Sequence, residues 1–557
     1  MSKNLYSRLL QKYKINIKRL LCPPKFDVNI TQYSIMAEIV VDIKQGKLKG
    51  IVRDNIDGGK YFSFRGIPFA EPPVGSLRFK EPQELKPWSG IKDALEESKK
   101  SAQYEIMSKV GEGGDDCLYL NVATNSLTDK KPVMVWIHGG GFKKSSNTYQ
   151  KYSPDYLLKK DIVFVGINYR LGVLGFLNME HEECAGNQGL KDQMAALIWI
   201  QENIEVFGGN PENVTIFGES AGGASVHALC LSPRAKGLFH KAIAQSGVVS
   251  NPWAHTYSNK ECGYSLAKAF GKKCYTPLET IEYLRTIPSL DLVTMYENLN
   301  NMEMIKLTLE LVPTQDKSVN PVLPQPIQEM NHKGVDVPLL IGYNSHEGIL
   351  RFLDNTEESI MEIDNDFESA INDYLKINDA LKLSHIAKTV REYYFGKEKI
   401  TEAKINELVQ CFGDLIFVNN ILEVVDIQMQ KSSPTYLYKF SYRPDYPTIQ
   451  DLFKSKIEGT CHADEMGCLF FSELRRGKLP KDSRDRTTME RMTTMWTNFA
   501  KTGDPTPTTN DLIPVKWRSL QPNKKNYLEI NDDLTCGQNP DSEMWNIWRP
   551  LLESLQQ

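Results

Sequence analysis

The sequence predicts an α/β fold with a large central, mostly parallel sheet, helices on both faces and further helical insertions. Apolar, β-branched runs typical of buried strands recur along the 557 residues. No Pro/Gly/Ser-rich linker, low-complexity tract or internal repeat divides these runs, so we expect residues 36–557 to form one domain. The predicted strands are 133–137, 162–168, 214–217, 241–245, 337–343 and 435–442.

Composition limits the classes of partner. The chain carries 66 basic and 70 acidic residues, a net charge of −4, and 41% of its residues are hydrophobic. A nearly balanced charge gives no electrostatic footprint for nucleic acid, so we do not expect nucleic acid as a partner. The hydrophobic content is sufficient for a substantial core.

Residues 1–35 form a basic, amphipathic segment. Residues 1–25 hold seven bases and no acid, and Leu5, Leu9, Tyr13, Ile17 and Leu20 would share one helix face. Such a helix can lie on a membrane or lipid-droplet surface. A helix packed on the domain, a disordered basic tail and a mitochondrial presequence remain alternatives. No signal peptide is recognisable, and no run approaches the ~20 apolar residues of a spanning helix.

The most informative motif follows the predicted strand 214–217. Gly218-Glu219-Ser220-Ala221-Gly222 is a Gly-x-Ser-x-Gly sequence with a helix-compatible segment after it, which is typical of a nucleophile elbow. The two glycines would permit the sharp turn that exposes the Ser220 hydroxyl above the sheet. The alternative is an ordinary strand-to-helix turn.

A glycine-rich segment follows the strand 133–137. In His138-Gly139-Gly140-Gly141-Phe142, backbone N–H groups can converge without obstruction by Cβ atoms. With the N–H of Ala221, those of Gly140 and Gly141 would form an oxyanion hole. A flexible turn or a phosphate loop is the alternative, but the phosphate-loop signatures are absent.

Two downstream residues complete a predicted triad. In this arrangement the chain order is serine, acid, histidine, and His385 and His462 have room for an acid before them. His385 lies in a helix-like pattern, whereas His462 follows Gly459 in a polar loop, so His462 is the predicted general base. Glu347, just past the strand 337–343, is the predicted acid. A surface salt bridge is the alternative for Glu347.

Further blocks give the chain a resemblance that covers nearly all of it. It resembles the type-B carboxylesterase and cholinesterase family, and within it the insect α-esterase-type carboxylesterases. The resemblance implies the α/β-hydrolase fold, the Ser220–Glu347–His462 triad and the oxyanion donors Gly140, Gly141 and Ala221, without metal or cofactor. The matching blocks are Phe64–Phe79, Asp116–Asn121, Asn168–Gly172, Gly186–Gln193, Phe207–Pro211 and Trp496–Pro505.

The resemblance also implies supporting residues. Glu219 and the buried Ser246 would join the triad's hydrogen-bond network, and Trp253 would form an aromatic wall of the substrate pocket. Arg170 with Asp192 and Arg78 with Asp115 match structural ion pairs. The second acid is usually Glu, so we expect that pair to be looser here. The segment 307–316 departs from the family, so the pocket shape is left open.

The positions of the cysteines indicate the cellular compartment of the protein. Secreted members carry loop disulfides ending at Cys117 and starting at Cys274, but the partner regions of this chain, 101–104 and 282–285, hold no cysteine. We therefore expect reduced thiols in an intracellular, cytoplasmic protein that is not secreted. A Cys262–Cys274 bridge is the alternative.

The predicted function is hydrolysis of uncharged carboxylic esters through an acyl-enzyme on Ser220, consistent with detoxification or lipid and xenobiotic ester metabolism. Organophosphates would phosphorylate the same serine and be sequestered. A cholinesterase is disfavoured because the segment 105–114 lacks the aromatic residue of a cation site. A non-catalytic adhesion relative is disfavoured because the triad is complete.

Overall fold

A thirteen-stranded sheet dominates the computed structural model, which describes residues 38–105, 108–299, 307–472 and 478–555. Two small hairpins, β5–β6 and β10–β11, lie outside it. The strands are β1 Glu38–Ile43, β2 Gly46–Asp54, β3 Lys60–Pro68, β4 Ile91–Asp93, β5 Gln103–Glu105, β6 Val110–Glu112, β7 Tyr119–Thr124, β8 Lys131–Ile137, β9 Val163–Ile167, β10 Asn178–His181, β11 Cys184–Ala185, β12 Gly209–Glu219, β13 Lys241–Gln245, β14 Leu339–Asn344, β15 Thr435–Phe440, β16 Asn526–Ile530 and β17 Leu534–Gln538.

The sheet is parallel in its centre and antiparallel at both margins. Its order is β1-β2-β3-β7-β9-β8-β12-β13-β14-β15-β16-β17, with β4 beside β2. The six strands predicted from sequence are the neighbours β9, β8, β12, β13, β14 and β15, and all pair in parallel. The predicted fold class is therefore confirmed. The antiparallel strands at the margins were not predicted.

Both faces of the central strands are buried, which explains their continuous apolar runs. In β8 the side chains of Val133, Val135 and Ile137 enter one hydrophobic cluster, whereas Met134 and Trp136 enter another. This alternation is the two-residue period of a strand, expressed here between two cores rather than between core and solvent.

Helices supply the remaining walls of both cores. The long helix Arg484–Thr502 packs Met492, Trp496 and Phe499 into the second cluster. The helix Ala380–Phe395 confirms the helix-like pattern around His385, whose side chain is exposed. The α-helices are Tyr149–Tyr152, Asp155–Leu158, Gly172–Phe176, Gln188–Asn203, Ala221–Leu231, Lys260–Ala269, Pro277–Thr286, Ser289–Leu299, Ile327–Asn331, Glu357–Asn365, Phe367–Leu375, Ala380–Phe395, Ile405–Gly413, Asn419–Gln428, Ile449–Phe453, Arg484–Thr502 and Ser542–Leu555.

One helical stretch corrects a sequence prediction. By length and composition, Glu402–Gln428 is apolar enough to cross a membrane, although no such segment was predicted. In the fold, 83% of its apolar window is buried, so this stretch serves as a core helix. The segment 1–35 lies outside the described residues.

Candidate active site

Ser220 occupies a strained turn between β12 and the helix Ala221–Leu231. Its backbone has φ 58° and ψ −124°, outside the regions that non-glycine residues usually adopt. A Cβ at Gly222 would lie 2.0 Å from the carbonyl oxygen of Ile137, and one at Gly218 would lie 2.5 Å from the carbonyl carbon of Gly222. Only glycine fits at either position. The turn therefore has the geometry of the predicted elbow.

The glycine-rich segment lies directly beside this turn. Parallel pairing aligns Gly218 of β12 with Ile137 of β8, so the residues after both strands emerge at the same edge. A Cβ at Gly139 would lie 3.1 Å from that of Ser220. Gly140 and Gly141 have φ values of 107° and 62°, as glycine readily allows.

Ala221 completes this arrangement as the first residue of its helix. The first N–H groups of a helix have no intrahelical acceptor, so that of Ala221 is free to bind an anion at the positive end of the helix dipole.

His462 lies between two carboxylates. Its Nδ1 lies 2.6 Å from Oε2 of Glu347, and its Nε2 lies 3.0 Å from Oε1 of Glu219. The loops of acid and base are tied together, because the Asn344 backbone N–H donates to Glu347 and the Asn344 side chain donates to the carbonyl of Cys461. The structure thus brings His462 into contact with Glu347 and with the elbow residue Glu219, and no hydrogen bond between His462 and Ser220 is present among the described residues.

The electrostatics of His462 follow from its burial and its neighbours. Burial disfavours the imidazolium, but the charges of Glu219 and Glu347 outweigh it, so the pKa of His462 is raised well above its usual value. A general base must be neutral to accept a proton, so the acidic limb of the pH–rate profile is expected to report this elevated pKa.

This charge balance predicts the effect of Glu219→Gln. The substitution removes one of two anions that stabilise the imidazolium, so the pKa of His462 falls and the base stays neutral to lower pH. The acidic limb of kcat/KM should therefore move to lower pH. The check is a pH profile on an uncharged ester, with Glu490→Gln as a remote control. A limb that stays in place or moves upward would contradict the assigned role of Glu219.

A third buried acid was missed by sequence reasoning. Glu465, three residues after His462, accepts hydrogen bonds from Asn344 (2.8 Å) and Gln245 (3.0 Å), and Gln245 accepts one from Trp496 (3.0 Å). Burial, and then the charge of Glu219, raises the pKa of Glu465 to about 8. This shift favours the neutral form of Glu465 and so reduces the negative charge around His462. In the sequence it resembles an ordinary surface acid.

An apolar, aromatic wall adjoins the histidine. The ring of Phe417 lies 4.5 Å from that of His462 and 5.7 Å from that of Trp253, and Phe142 lies 6.4 Å from Trp253. Trp253 is buried and donates its indole N–H to the carbonyl of Ile416. Ile416 and Phe417 belong to a π-helical turn, a feature often found at functional sites that no sequence signal identified.

The implied supporting residues have mixed outcomes. Ser246 is fully buried, but its hydroxyl has no hydrogen-bond partner among the described residues. No side-chain hydrogen bond therefore links Ser246 to the triad in the part of the chain that the structure describes. Arg78 and Asp115 form their ion pair at 2.8 Å, so the shorter acid does not keep the charges apart.

The described cysteines were predicted to be reduced, and the structure shows whether any of them are paired. Each cysteine in the described ranges is a free thiol, so the alternative Cys262–Cys274 bridge does not form there. Cys117 is buried beside the Ser101 hydroxyl, and burial raises the pKa of its thiol to about 12. Ser101 belongs to the region 101–104, where the family has the disulfide partner of this cysteine, so a serine stands beside Cys117 in this chain.

Known proteins share this architecture and length. A sequence model of the carboxylesterase family matches residues 37–548. The juvenile hormone esterase of Tribolium castaneum is 34% identical over 523 residues, 88% of each chain. Esterase E4 of Myzus persicae is 33% identical, covering 86% of this chain and 90% of its own.

A solved structure agrees with these sequence matches. It is the crystal structure of the juvenile hormone esterase of Manduca sexta with OTFP covalently attached. It superposes with a TM-score of 0.83 at 26% identity, over 93% of this chain and all of the other. The chain therefore belongs to the carboxylesterase family, adopts the α/β-hydrolase fold and is a carboxylic-ester hydrolase.

Proposed function

We propose that the chain hydrolyses uncharged carboxylic esters through an acyl-enzyme on Ser220. The observation that carries the proposal is the convergence of the elbow, the glycine-rich loop and the Glu347–His462 pair at the carboxyl ends of parallel strands. No single one of these features would distinguish an esterase from a structural cluster. Together they supply a nucleophile, a base, an orienting acid and an oxyanion site.

Each group would act at a defined step. His462 removes the proton of the Ser220 hydroxyl as its oxygen attacks the ester carbonyl, while Glu347 holds the ring and stabilises the imidazolium. The N–H groups of Gly140, Gly141 and Ala221 bind the oxyanion of the tetrahedral intermediate. His462 then protonates the departing alcohol. In the second half-reaction it activates water, which releases the acid and frees Ser220.

The substrate class follows from the aromatic wall. Phe142, Trp253 and Phe417 form a buried aromatic cluster that reaches the His462 ring, and such an apolar setting favours an apolar acyl or alcohol group. The carboxylates of Glu219 and Glu347 flank His462, and they would repel an anionic substituent placed beside them. Uncharged esters are therefore the proposed substrates.

Active-site titration tests this mechanism. With a slowly deacylating chromogenic ester, we expect a burst of alcohol equal in amount to the enzyme, followed by slower turnover. An ester panel varying acyl and alcohol length then measures selectivity, and it includes juvenile hormone because two relatives are named for it. Turnover without any burst, for esters across the whole panel, would argue against rate-limiting deacylation of an acyl-enzyme.

We also propose that organophosphates phosphorylate Ser220 and remain bound. The support is the Ser220 elbow beside the Glu347–His462 pair, because the nucleophile and base that attack an ester carbonyl can also attack a phosphorus centre. The same titration with a dialkyl phosphate ester should give one equivalent of leaving group and then almost no turnover. Rapid spontaneous reactivation after removal of excess reagent would contradict sequestration.

An intracellular location with peripheral binding to a membrane or lipid surface is a further part of the proposal. Its support is the basic composition of residues 1–25 together with the free thiols among the described cysteines. Co-sedimentation with anionic vesicles would test the lipid contact, comparing the full chain with one that lacks residues 1–35. Equal co-sedimentation of both chains would remove the assigned role of this segment.

A further inference from the structure

A buried ion pair follows the oxyanion loop, here defined as residues 138–142. Lys143 directs its ammonium towards Glu297, with Nζ 3.3 Å from each carboxylate oxygen. Glu297 is only 7% exposed and lies on the helix Ser289–Leu299. A carboxylate this deeply buried is costly unless a cation compensates it, so the pair links the loop firmly to this helix.

Lys143 belongs to the same turn as the proposed oxyanion donors. The carbonyl of Gly140 accepts the backbone N–H groups of both Lys143 (3.2 Å) and Lys144 (3.1 Å). Displacement of Lys143 would therefore turn the Gly140 and Gly141 peptides. The loop also contains Phe142 with φ 58°, a strained conformation that persists only where the surroundings hold it.

The surroundings hold the loop from two sides. On one side the Phe142 carbonyl accepts the N–H of Gly172 (2.8 Å), and the Phe142 ring packs on Phe176 at 5.0 Å. On the other side the Lys143–Glu297 pair joins the turn to the helix Ser289–Leu299. Without this ion pair the turn would keep the packing of Phe142 on Phe176 but lose its contact with the helix Ser289–Leu299.

Local charge makes the carboxylate necessary. Lys144 is adjacent, and burial, followed by the charges of Lys143 and Lys151, lowers the pKa of Lys144 to about 8. Glu105 and Glu297 are the anions that oppose these lysines. Loss of the Glu297 charge would leave the partly buried Lys143 ammonium without its ion-pair partner, and it would move towards water.

We propose that Glu297 is a positioning residue that aligns the oxyanion hole through Lys143. The proposal rests on the assignment of Gly140 and Gly141 as oxyanion donors. Glu297 does not contact the reacting atoms. It acts by holding Lys143, and with it the peptides whose N–H groups receive the developing charge. Misplacement of such groups by about 1 Å can cost roughly 100-fold in rate.

The experiment uses Glu297→Gln in the full-length chain. We expect kcat on an uncharged ester to fall about 10- to 100-fold while KM stays within about twofold, because the donors act mainly in the transition state. Affinity for a trifluoromethyl ketone, which forms a tetrahedral adduct with a serine, should fall by the same factor. The matched control is Glu490→Gln, which breaks the ion pair with Lys160 (2.5 Å) far from the site and should leave both quantities unchanged.

A second variant tests the proposal if Glu297→Gln does not fold. Lys143→Met/Glu297→Gln removes both charges and leaves no unpaired buried ion, yet it also lacks the link and should be as slow as Glu297→Gln. Wild-type kcat and ketone affinity in either folded variant would overturn the proposal, as would a rise in KM at unchanged kcat. A full burst with slow turnover in Glu297→Gln separates this proposal from the mechanism itself, whose failure would remove the burst from the wild type.

Discussion

Ser220→Ala is expected to lower kcat by about 10⁴- to 10⁶-fold, the largest effect on activity of any single substitution in this chain. The alanine removes the oxygen that forms the acyl bond, so His462 has no proton to accept and no covalent intermediate can form. The remaining rate would come from the oxyanion donors and from substrate binding. The check is single-turnover and steady-state kinetics on an uncharged ester, with KM measured alongside kcat.

Folding should be nearly unaffected by this change. Ser220 is only half-buried, and alanine retains the Cβ, so the turn at φ 58° imposes the same strain on either residue. Thermal unfolding of Ser220→Ala should therefore match that of the wild type. Full activity in a folded Ser220→Ala protein would remove Ser220 from the mechanism.

Asp192→Ala is expected to cause the largest loss of stability, about 3–5 kcal/mol in the free energy of unfolding. Arg170 and Asp192 form a fully buried pair in which Nε donates to Oδ2 (2.8 Å) and Nη2 donates to Oδ1 (2.7 Å). Removing the acid leaves a guanidinium in the core, where an uncompensated charge is strongly unfavourable. Denaturant titration, comparing midpoints and slopes, measures the change.

The chain contains a matched control for this prediction. Arg484 and Asp532 form a bidentate pair of similar geometry (2.7 and 2.9 Å), but their side chains are 49% and 58% exposed. Asp532→Ala should cost no more than ~1 kcal/mol, because water already solvates both charges. Equal losses in the two variants would mean that burial does not determine the strength of these pairs. The double variant Arg170→Met/Asp192→Leu should recover much of the loss.

Local sequence signals predicted much of the fold. The six central strands were found because both of their faces are buried, which gives uninterrupted apolar runs such as 133–137. The margins were not, because strands such as β4 and β17 are short and largely exposed. The long apolar stretch Glu402–Gln428 was overlooked in the sequence, and composition alone could not have shown its role, since a buried core helix and a membrane helix can have the same composition.

Some residues of the site could also be predicted from local sequence, and others could not. Ser220 and the glycines at 139–141 form motifs of adjacent residues, so backbone constraints alone identify them. His462 and Glu347 required chain order and family resemblance, and the structure places them 2.6 Å apart across 115 residues of separation. Glu465 gave no signal, because the sequence does not distinguish a buried glutamate from one on the surface.

The sequence alone therefore determined the hydrolase fold and the elbow and predicted the reacting groups, because these depend on periodicity, glycine placement and motif order. Only the tertiary structure decided the charge environment of His462, the raised pKa of Glu465, the π-helical turn at Phe417 and the Lys143–Glu297 link. Those properties depend on distance and burial between residues far apart in the chain, and a low-dielectric interior makes their interactions strong.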